Sequence, residues 1–239
     1  MTQNDIWLRT IAQRNGQTIT DIELGKLDHY CSLLERWNKS INLISRKDEP
    51  NIWRNHILVS LVFLLKIDFL RGAKVLDLGT GGGLPGIPLS IMRQDIEFVL
   101  LDSIRKKVGA VQDMVNTLDL PNVRVVCGRA EELGALDRHR NVFDAVIARG
   151  VSSLDNLVKW ATPFLKHGEV SKKLVVAARG RVVLTHPALI TLRGGENSVE
   201  IERARRRFPG IAVHSVDGTF KGNEVLQNSE RKIILVEIN

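Results

Sequence analysis

The sequence predicts an α/β protein, with a helical N-terminal part over residues 1–70 and a doubly wound parallel sheet over 71–239. Three observations carry that reading. Apolar residues recur at helical intervals up to about residue 70. After Gly72 the period changes, and short aliphatic runs alternate with helix-length segments. Runs that are continuously apolar, separated by helices, are the mark of parallel strands buried on both faces. A glycine cluster then follows the first such run, where a strand would turn into a helix.

The elements follow in order. Thr20 and Glu23 have capping-box spacing, and Leu24, Leu27, Tyr30, Cys31, Leu34 and Trp37 continue at helical intervals. A second helix follows Pro50, with Ile52, Trp53, His56, Ile57 and Leu61 on its apolar stripe. Strands are expected at 73–78, 97–102, 123–127, 143–148 and 173–177. Residues 87–92 are long enough for the helix after the glycines. Two late runs, 211–216 and 232–238, are suited to a closing hairpin. No internal repeat or low-complexity tract interrupts the series.

Composition bounds what such a chain does. A hydrophobic fraction of 44% in 239 residues supplies a sizeable core and excludes disorder as the main state. The longest apolar stretch, 57–65, is broken by Ser60 and is too short for a membrane span. The N-terminus lacks the basic head and apolar core of a secretory signal. Only Cys31 and Cys127 occur, one in a helix and one in a strand expected to bury it, which suits a reducing cytoplasm. No cysteine–histidine cluster has zinc spacing, so no metal is expected. Charge has a direction: 34 Lys and Arg against 27 Asp and Glu leave +7. Such a surface favours a polyanion, nucleic acid before acidic lipid.

The strongest motif is Val75-Leu76-Asp77-Leu78-Gly79-Thr80-Gly81-Gly82-Gly83-Leu84-Pro85-Gly86. Glycines let the backbone turn sharply and meet a ligand without a Cβ in the way. A Walker phosphate loop needs Lys-Ser/Thr after its last glycine, but Gly86 is followed by Ile87-Pro88. A dinucleotide fingerprint drawn from Gly81, Gly83 and Gly86 places Pro85 inside the turn, and Pro85 and Pro88 both lack the amide that would hold pyrophosphate, which weakens that reading without excluding it. S-adenosylmethionine is the third reading. Asp102 closes the next strand roughly 20 residues on, where a carboxylate accepts both ribose hydroxyls. Nicotinamide dinucleotides also carry a ribose, so Asp102 does not separate the two. A bare strand–helix turn without ligand is the plain alternative.

These residues, together with others in the same order, resemble a known family. Trp37-Asn38-Lys39, Ile41-Asn42-Leu43, Asn55-His56-Ile57-Leu58 and Ser60-Leu61 are similar to its helical N-terminal signature. The glycine loop through Ser90, then Leu101-Asp102-Ser103 with Lys106-Lys107, Arg129-Ala130-Glu131-Glu132, Phe143-Asp144 and Ala148-Arg149 follow in family order. The family is the bacterial small-subunit ribosomal RNA methyltransferase G, formerly glucose-inhibited division protein B, and the likeness spans residues 19–168. Val59 stands where the family has an aspartate, and Gly150 where it has an alanine. Arg179-Gly180 lies near the family's Lys-Gly, and 181–200 does not align.

The resemblance implies a class I S-adenosylmethionine-dependent methyltransferase with a Rossmann-like sheet, acting on guanine N7 of 16S ribosomal RNA. It implies 16S ribosomal RNA or the small ribosomal subunit as partner. Its cofactor positions fall on Gly79, Leu84, Ala130, Glu131 and Arg149; Asp102 is added from spacing and chemistry. No catalytic side chain is assigned, because N7 already carries an in-plane lone pair and needs no base. The segment after the fourth strand, Ala148-Arg149-Gly150-Val151-Ser152, agrees: it has neither Asn/Asp-Pro-Pro-Tyr nor Pro-Cys. Competing readings are a methyltransferase for a small molecule or protein, a nicotinamide-dependent oxidoreductase, and a catalytically silent RNA-binding module.

Each singled-out residue also has a plain role. Arg149 holds a methionine carboxylate or an RNA phosphate, or else is a surface ion-pair residue. Glu131 accepts from an adenine amino group, or merely complements a helix start. His56 on its apolar stripe reads as a packed, hydrogen-bonded histidine, and Trp37 and Trp53 as core. Arg203, Arg205, Arg206 and Arg207 read as a solvated helix face or as phosphate contacts. Arg205, Arg206 and Arg207 are the candidate RNA contacts, with Arg105, Lys106 and Lys107 extending that surface.

Overall fold

The structure is a computed structural model that describes residues 2–167, 175–177, 180–222, 224 and 231–238. Two helices open the chain, α1 (Gln3–Arg14) and α2 (Asp21–Asn38), and each starts with a reciprocal capping box. In α2 the Thr20 hydroxyl accepts from the Glu23 amide at 3.2 Å, and the Glu23 carboxylate accepts from the Thr20 amide at 2.7 Å. Two donors that a helix start leaves without partners are thereby satisfied. The helix expected after Pro50 forms in pieces. A 3-10 turn (Arg46–Asn51) contains Pro50, a π-helical turn (Trp53–Leu58) follows, and α3 (Val59–Lys66) continues it. Among the described residues no helix is long and apolar enough to cross a membrane.

The strands and helices then alternate. They run β1 (Ile67–Asp68), β2 (Lys74–Leu78), α4 (Gly86–Met92), β3 (Glu97–Asp102), α5 (Arg105–Thr117), β4 (Val123–Cys127) and α6 (Ala130–Leu133). After them come β5 (Ala145–Arg149), α7 (Leu154–Ala161), β6 (Val175–Val176), β7 (Val182–Val183), β8 (Ala188–Gly194), α8 (Ser198–Arg207), β9 (Ala212–Asp217) and β10 (Arg231–Glu237). The main sheet has seven strands in the order β4-β3-β2-β5-β8-β10-β9. The first five are parallel, and β10 runs antiparallel to both β8 and β9, so the predicted closing hairpin forms. A small second sheet joins β1, β7 and β6.

Period-two geometry explains the continuous apolar runs. Along β5, Ala145 and Ile147 enter one core while Val146 and Ala148 enter the other. The first core lies under α2 to α5 and includes Leu27, Leu34, Phe63, Ile87 and Val111. The second lies under α7 and α8 and includes Leu157, Phe164 and Ala204. A strand buried on both faces has no position left for a polar alternation. The N-terminal helices share their core with one face of the sheet. Trp53 is buried in it, and Trp37 packs against it while its indole donates to Asp113 at 2.9 Å.

Two expectations are corrected. The strand beside β5 is not 173–177. Lys173, Leu174 and Arg179 lie outside the described residues, and among the described residues Val175–Val176 pair with β7 alone while staying exposed. Ala188–Gly194 takes the place, with Ala145 opposite Ala188 and Arg149 opposite Leu192. It offers five consecutive buried residues, which a central strand requires and the Val175–Val176 pair cannot supply. The unaligned segment 181–200 therefore holds β7, β8 and the start of α8. Cys127 is also exposed rather than buried, because it ends the edge strand β4.

Candidate active site

In the main sheet, β2 lies between β3 and β5, so the chain winds outward in both directions from it. Such a switch point leaves a crevice beyond the carboxyl ends of the strands. Here it is a cleft of about 460 Å³, within the range of small-molecule sites. Gly79, Leu84, Asp102, Ala130, Glu131 and Arg149 all line it. Four separate strand ends bring them together: the loop after β2, the end of β3, the turn after β4 and the end of β5.

The glycine loop is anchored from below. The amides of Gly79 and Thr80 both donate to the Leu101 carbonyl, at 2.8 and 2.9 Å. Gly79 and Gly81 have φ of +75° and +58°, the left-handed region that glycine adopts without strain. Their surroundings differ. A Cβ on Gly79 would meet the Val151 side chain at 2.7 Å, whereas one on Gly81 meets only the Gly79 carbonyl, at 4.0 Å. Gly81 is thus the position that keeps space open in the cleft.

Two carboxylates divide the work around this loop. Asp102, largely buried in the cleft wall, accepts from the Gly81 amide and the Ile104 amide, each at 2.9 Å. Each oxygen retains a lone pair for a further donor, as two ribose hydroxyls would supply. Asp77 does not line the cleft. It is fully buried, and its Oδ2 accepts from the Thr80 hydroxyl at 2.6 Å and the Gly86 amide at 2.9 Å. Burial pushes its carboxyl up to about 6 against the opposing effect of those donors. It braces the loop against α4.

The N-terminal part supplies the remaining wall, which the sequence reading did not anticipate. The buried Tyr30 hydroxyl of α2 donates to the Gly82 carbonyl at 2.9 Å. Buried Asn38 accepts from the amides of Leu43 and Ile44 at 2.8 and 3.0 Å, and those two side chains line the cleft. Trp160 of α7 lines it as well. An aromatic or amide on an amphipathic helix gives no local sign of which loop it will reach.

His56 and Arg149 meet at the cleft. An Arg149 Nη2 donates to His56 Nδ1 at 3.0 Å, and Nη1 to the Asn55 carbonyl at 3.3 Å. Guanidinium has no acceptor, so His56 Nδ1 carries no proton and its Nε2 faces Asp48 Oδ2 at 3.5 Å. Burial, reinforced by the Arg149 charge, lowers the His56 pKa to about 4. The unfolded chain therefore takes up this proton first, and the stability present above pH 6.5 is lost as pH falls toward 4. Asp77, raised rather than lowered, acts in the opposite sense over pH 6 to 4. The expected result is thus a difference: wild type loses roughly 2 kcal/mol more than His56→Gln between pH 7 and 4.5. Urea denaturation at both pH values measures it, and parallel losses in the two chains would refute it.

The α8 arginines lie elsewhere. Arg205, Arg206 and Arg207 do not line the cleft. Arg207 pairs with Asp155 at 2.7 Å, Arg206 with Glu202 at 3.2 Å, and Arg205 donates to the Val213 carbonyl at 3.1 Å.

The site fits S-adenosylmethionine. Gly81 leaves space, Asp102 keeps acceptor capacity of the kind a ribose needs, and the Arg149 guanidinium lines the same cleft. Comparison with known proteins agrees. The family described as rRNA small subunit methyltransferase G matches residues 23–186. A Ribosomal RNA small subunit methyltransferase G from Chlorobaculum tepidum is 36% identical over 237 residues, covering 98% of each chain. One from Chlorobium limicola is 42% identical over 213 residues, covering 87% of this chain and 86% of that one. Among solved structures, a SAM dependent methyltransferase from Aquifex aeolicus has a TM-score of 0.53 at 16% identity, over 86% of this chain and 98% of that one. That likeness shows the fold, a class I S-adenosylmethionine-dependent methyltransferase architecture. Sequence signature, sheet topology and cleft thus converge, and the chain belongs to the rRNA small subunit methyltransferase G family.

Proposed function

We propose that this chain methylates N7 of a guanine in 16S ribosomal RNA in the cytoplasm, with S-adenosylmethionine as donor and the RNA or small ribosomal subunit as substrate. The observation that carries the reading is the meeting of Gly79, Leu84, Asp102, Ala130, Glu131 and Arg149 in one cleft of a chain of this family. When bound, the cofactor supplies a methyl group already activated on a sulfonium.

The protein's own residues then position the reactants. Asp102 would hold the ribose, Glu131 would accept from the adenine amino group, and Arg149 would meet the carboxylate end. Gly79 and Leu84 shape the loop and Ala130 starts α6 beside it. Leu43 and Ile44 form an apolar wall that excludes water from one side. Guanine N7 carries an unprotonated in-plane lone pair, so forming its bond to the methyl while the methyl–sulfur bond breaks, its electron pair left on the thioether sulfur, would require no base. The groups present suit that chemistry: the one unprotonated ring nitrogen of His56 is occupied by Arg149, and Asp102 is already bonded to two amides. Rate enhancement then comes from holding nitrogen, methyl and sulfur in line.

Mass mapping of modified nucleosides tests this directly. Small-subunit RNA from cells lacking the protein is expected to lose 7-methylguanosine at one position and to regain it when the purified protein and S-adenosylmethionine are added. Labelled methyl appearing in protein or small molecules, with ribosomal RNA unchanged, would overturn the reading.

A further inference from the structure

The mouth of the cleft carries cations that methyl transfer itself does not use. The first turn of α5 is Arg105, Lys106 and Lys107, with no acidic residue among them. Cations there oppose the positive end of the helix dipole, so helix stability does not account for their placement. Arg105 and Lys106 are exposed, while Lys107 and the exposed Arg129 line the cleft. A second flank starts from Leu43 and Ile44, which line both the cleft and an adjoining depression that ends at Arg46. Lys47 follows, and both cations are exposed.

Among the described residues, none of these six side chains makes an ion pair or hydrogen bond. The contrast with α8 is direct. There Arg203 and Arg207 share Asp155 at 2.9 and 2.7 Å, and Arg206 has Glu202. Arg203, Arg206 and Arg207 of α8 are answered by acids inside the chain and Arg205 by a backbone carbonyl; among the described residues, the cations at the cleft mouth have no such partner. A group of unanswered cations repels itself until a polyanion supplies the counter-charge. Next to Arg105, Ile104 is 49% exposed, an apolar side chain suited to the face of a base or ribose.

We infer that the phosphates flanking the target guanine sit on Arg105, Lys106, Lys107 and Arg129 on one side of the cleft mouth, and on Arg46 and Lys47 at the other flank. This rests on the RNA-methyltransferase reading and adds to it the path of the strand. Phosphate contacts fix register while the base enters the cleft.

The test uses small ribosomal subunits from cells lacking the protein, with binding and methyl transfer measured over a salt series. Two double variants, Arg46→Ala with Lys47→Ala and Arg105→Ala with Lys106→Ala, leave the cleft-lining Lys107 and Arg129 in place. Each is expected to weaken subunit binding about tenfold or more and to flatten the log–log salt slope by roughly 1 to 2, the release expected for two phosphate contacts. Their affinity for S-adenosylmethionine should match wild type. A triple Arg205→Ala, Arg206→Ala, Arg207→Ala variant should keep the wild-type slope. Wild-type slopes in both double variants, or flattening in the α8 triple alone, would overturn the inference while wild type still methylates RNA. Absence of RNA methylation by wild type itself would instead bring down the functional reading on which the inference rests.

Discussion

A Gly79→Val chain is expected to lose S-adenosylmethionine binding by more than about 100-fold while its sheet remains folded. Two costs act together. The backbone at Gly79 has φ of +75°, where a side chain costs roughly 1–2 kcal/mol and a β-branched one more. The new Cβ would also stand 2.7 and 2.8 Å from the two methyls of Val151. Relief requires the loop to lift or Val151 to swing, and Val151 lines the cleft. Lifting the loop breaks the Gly79 and Thr80 bonds to the Leu101 carbonyl and carries the Gly81 amide away from Asp102. Glycine at 79 is thus required by its backbone dihedral and by Val151, the neighbour that fills the space, while Gly81 is the residue open to the cleft. Calorimetric titration with S-adenosylmethionine, beside a circular-dichroism melt, measures both halves. Gly79→Ala, with a smaller clash, should fall between. Wild-type affinity in a folded Gly79→Val chain would contradict this account.

Replacing Asp102 by alanine is expected to weaken cofactor binding by about 1.5–3 kcal/mol, the range for hydrogen bonds to a charged acceptor. S-adenosylhomocysteine should suffer equally, because the ribose is common to both molecules. The structure adds a second consequence. Asp102 also accepts from the Gly81 and Ile104 amides, so its loss leaves two donors at the cleft wall without their partner. The melting temperature should therefore fall as well, and saturating cofactor should restore less of it than in wild type. A loss confined to RNA affinity, with both adenosyl ligands bound normally, would assign Asp102 a different role.

Much of this molecule is legible in short stretches of its sequence. The Thr20–Glu23 capping box, the aliphatic runs that became β2 to β5 and the glycine turn into α4 each depend on residues a few positions apart. So does the placement of Asp102 at a strand end, since a parallel strand–helix–strand unit fixes how far the next strand end lies from the loop. That is why the six cleft positions could be named from spacing and family likeness before any packing was known.

Other features were decided only when the chain closed on itself. Which run lies beside β5 depends on burial on both faces, and Ala188–Gly194 meets that demand where Val175–Val176 does not. Whether Cys127 is buried depends on β4 being an edge. Which arginine finds an acid within the chain depends on packing: Asp155 pairs with Arg203 and Arg207 across 48 and 52 positions of sequence. Tyr30 likewise reaches Gly82 across 52 positions, and Arg149 reaches His56 across 93. Local pattern sets the period and turns of each element because its causes act between near neighbours. Partnership across such separations is set by packing, and only the tertiary structure determines it.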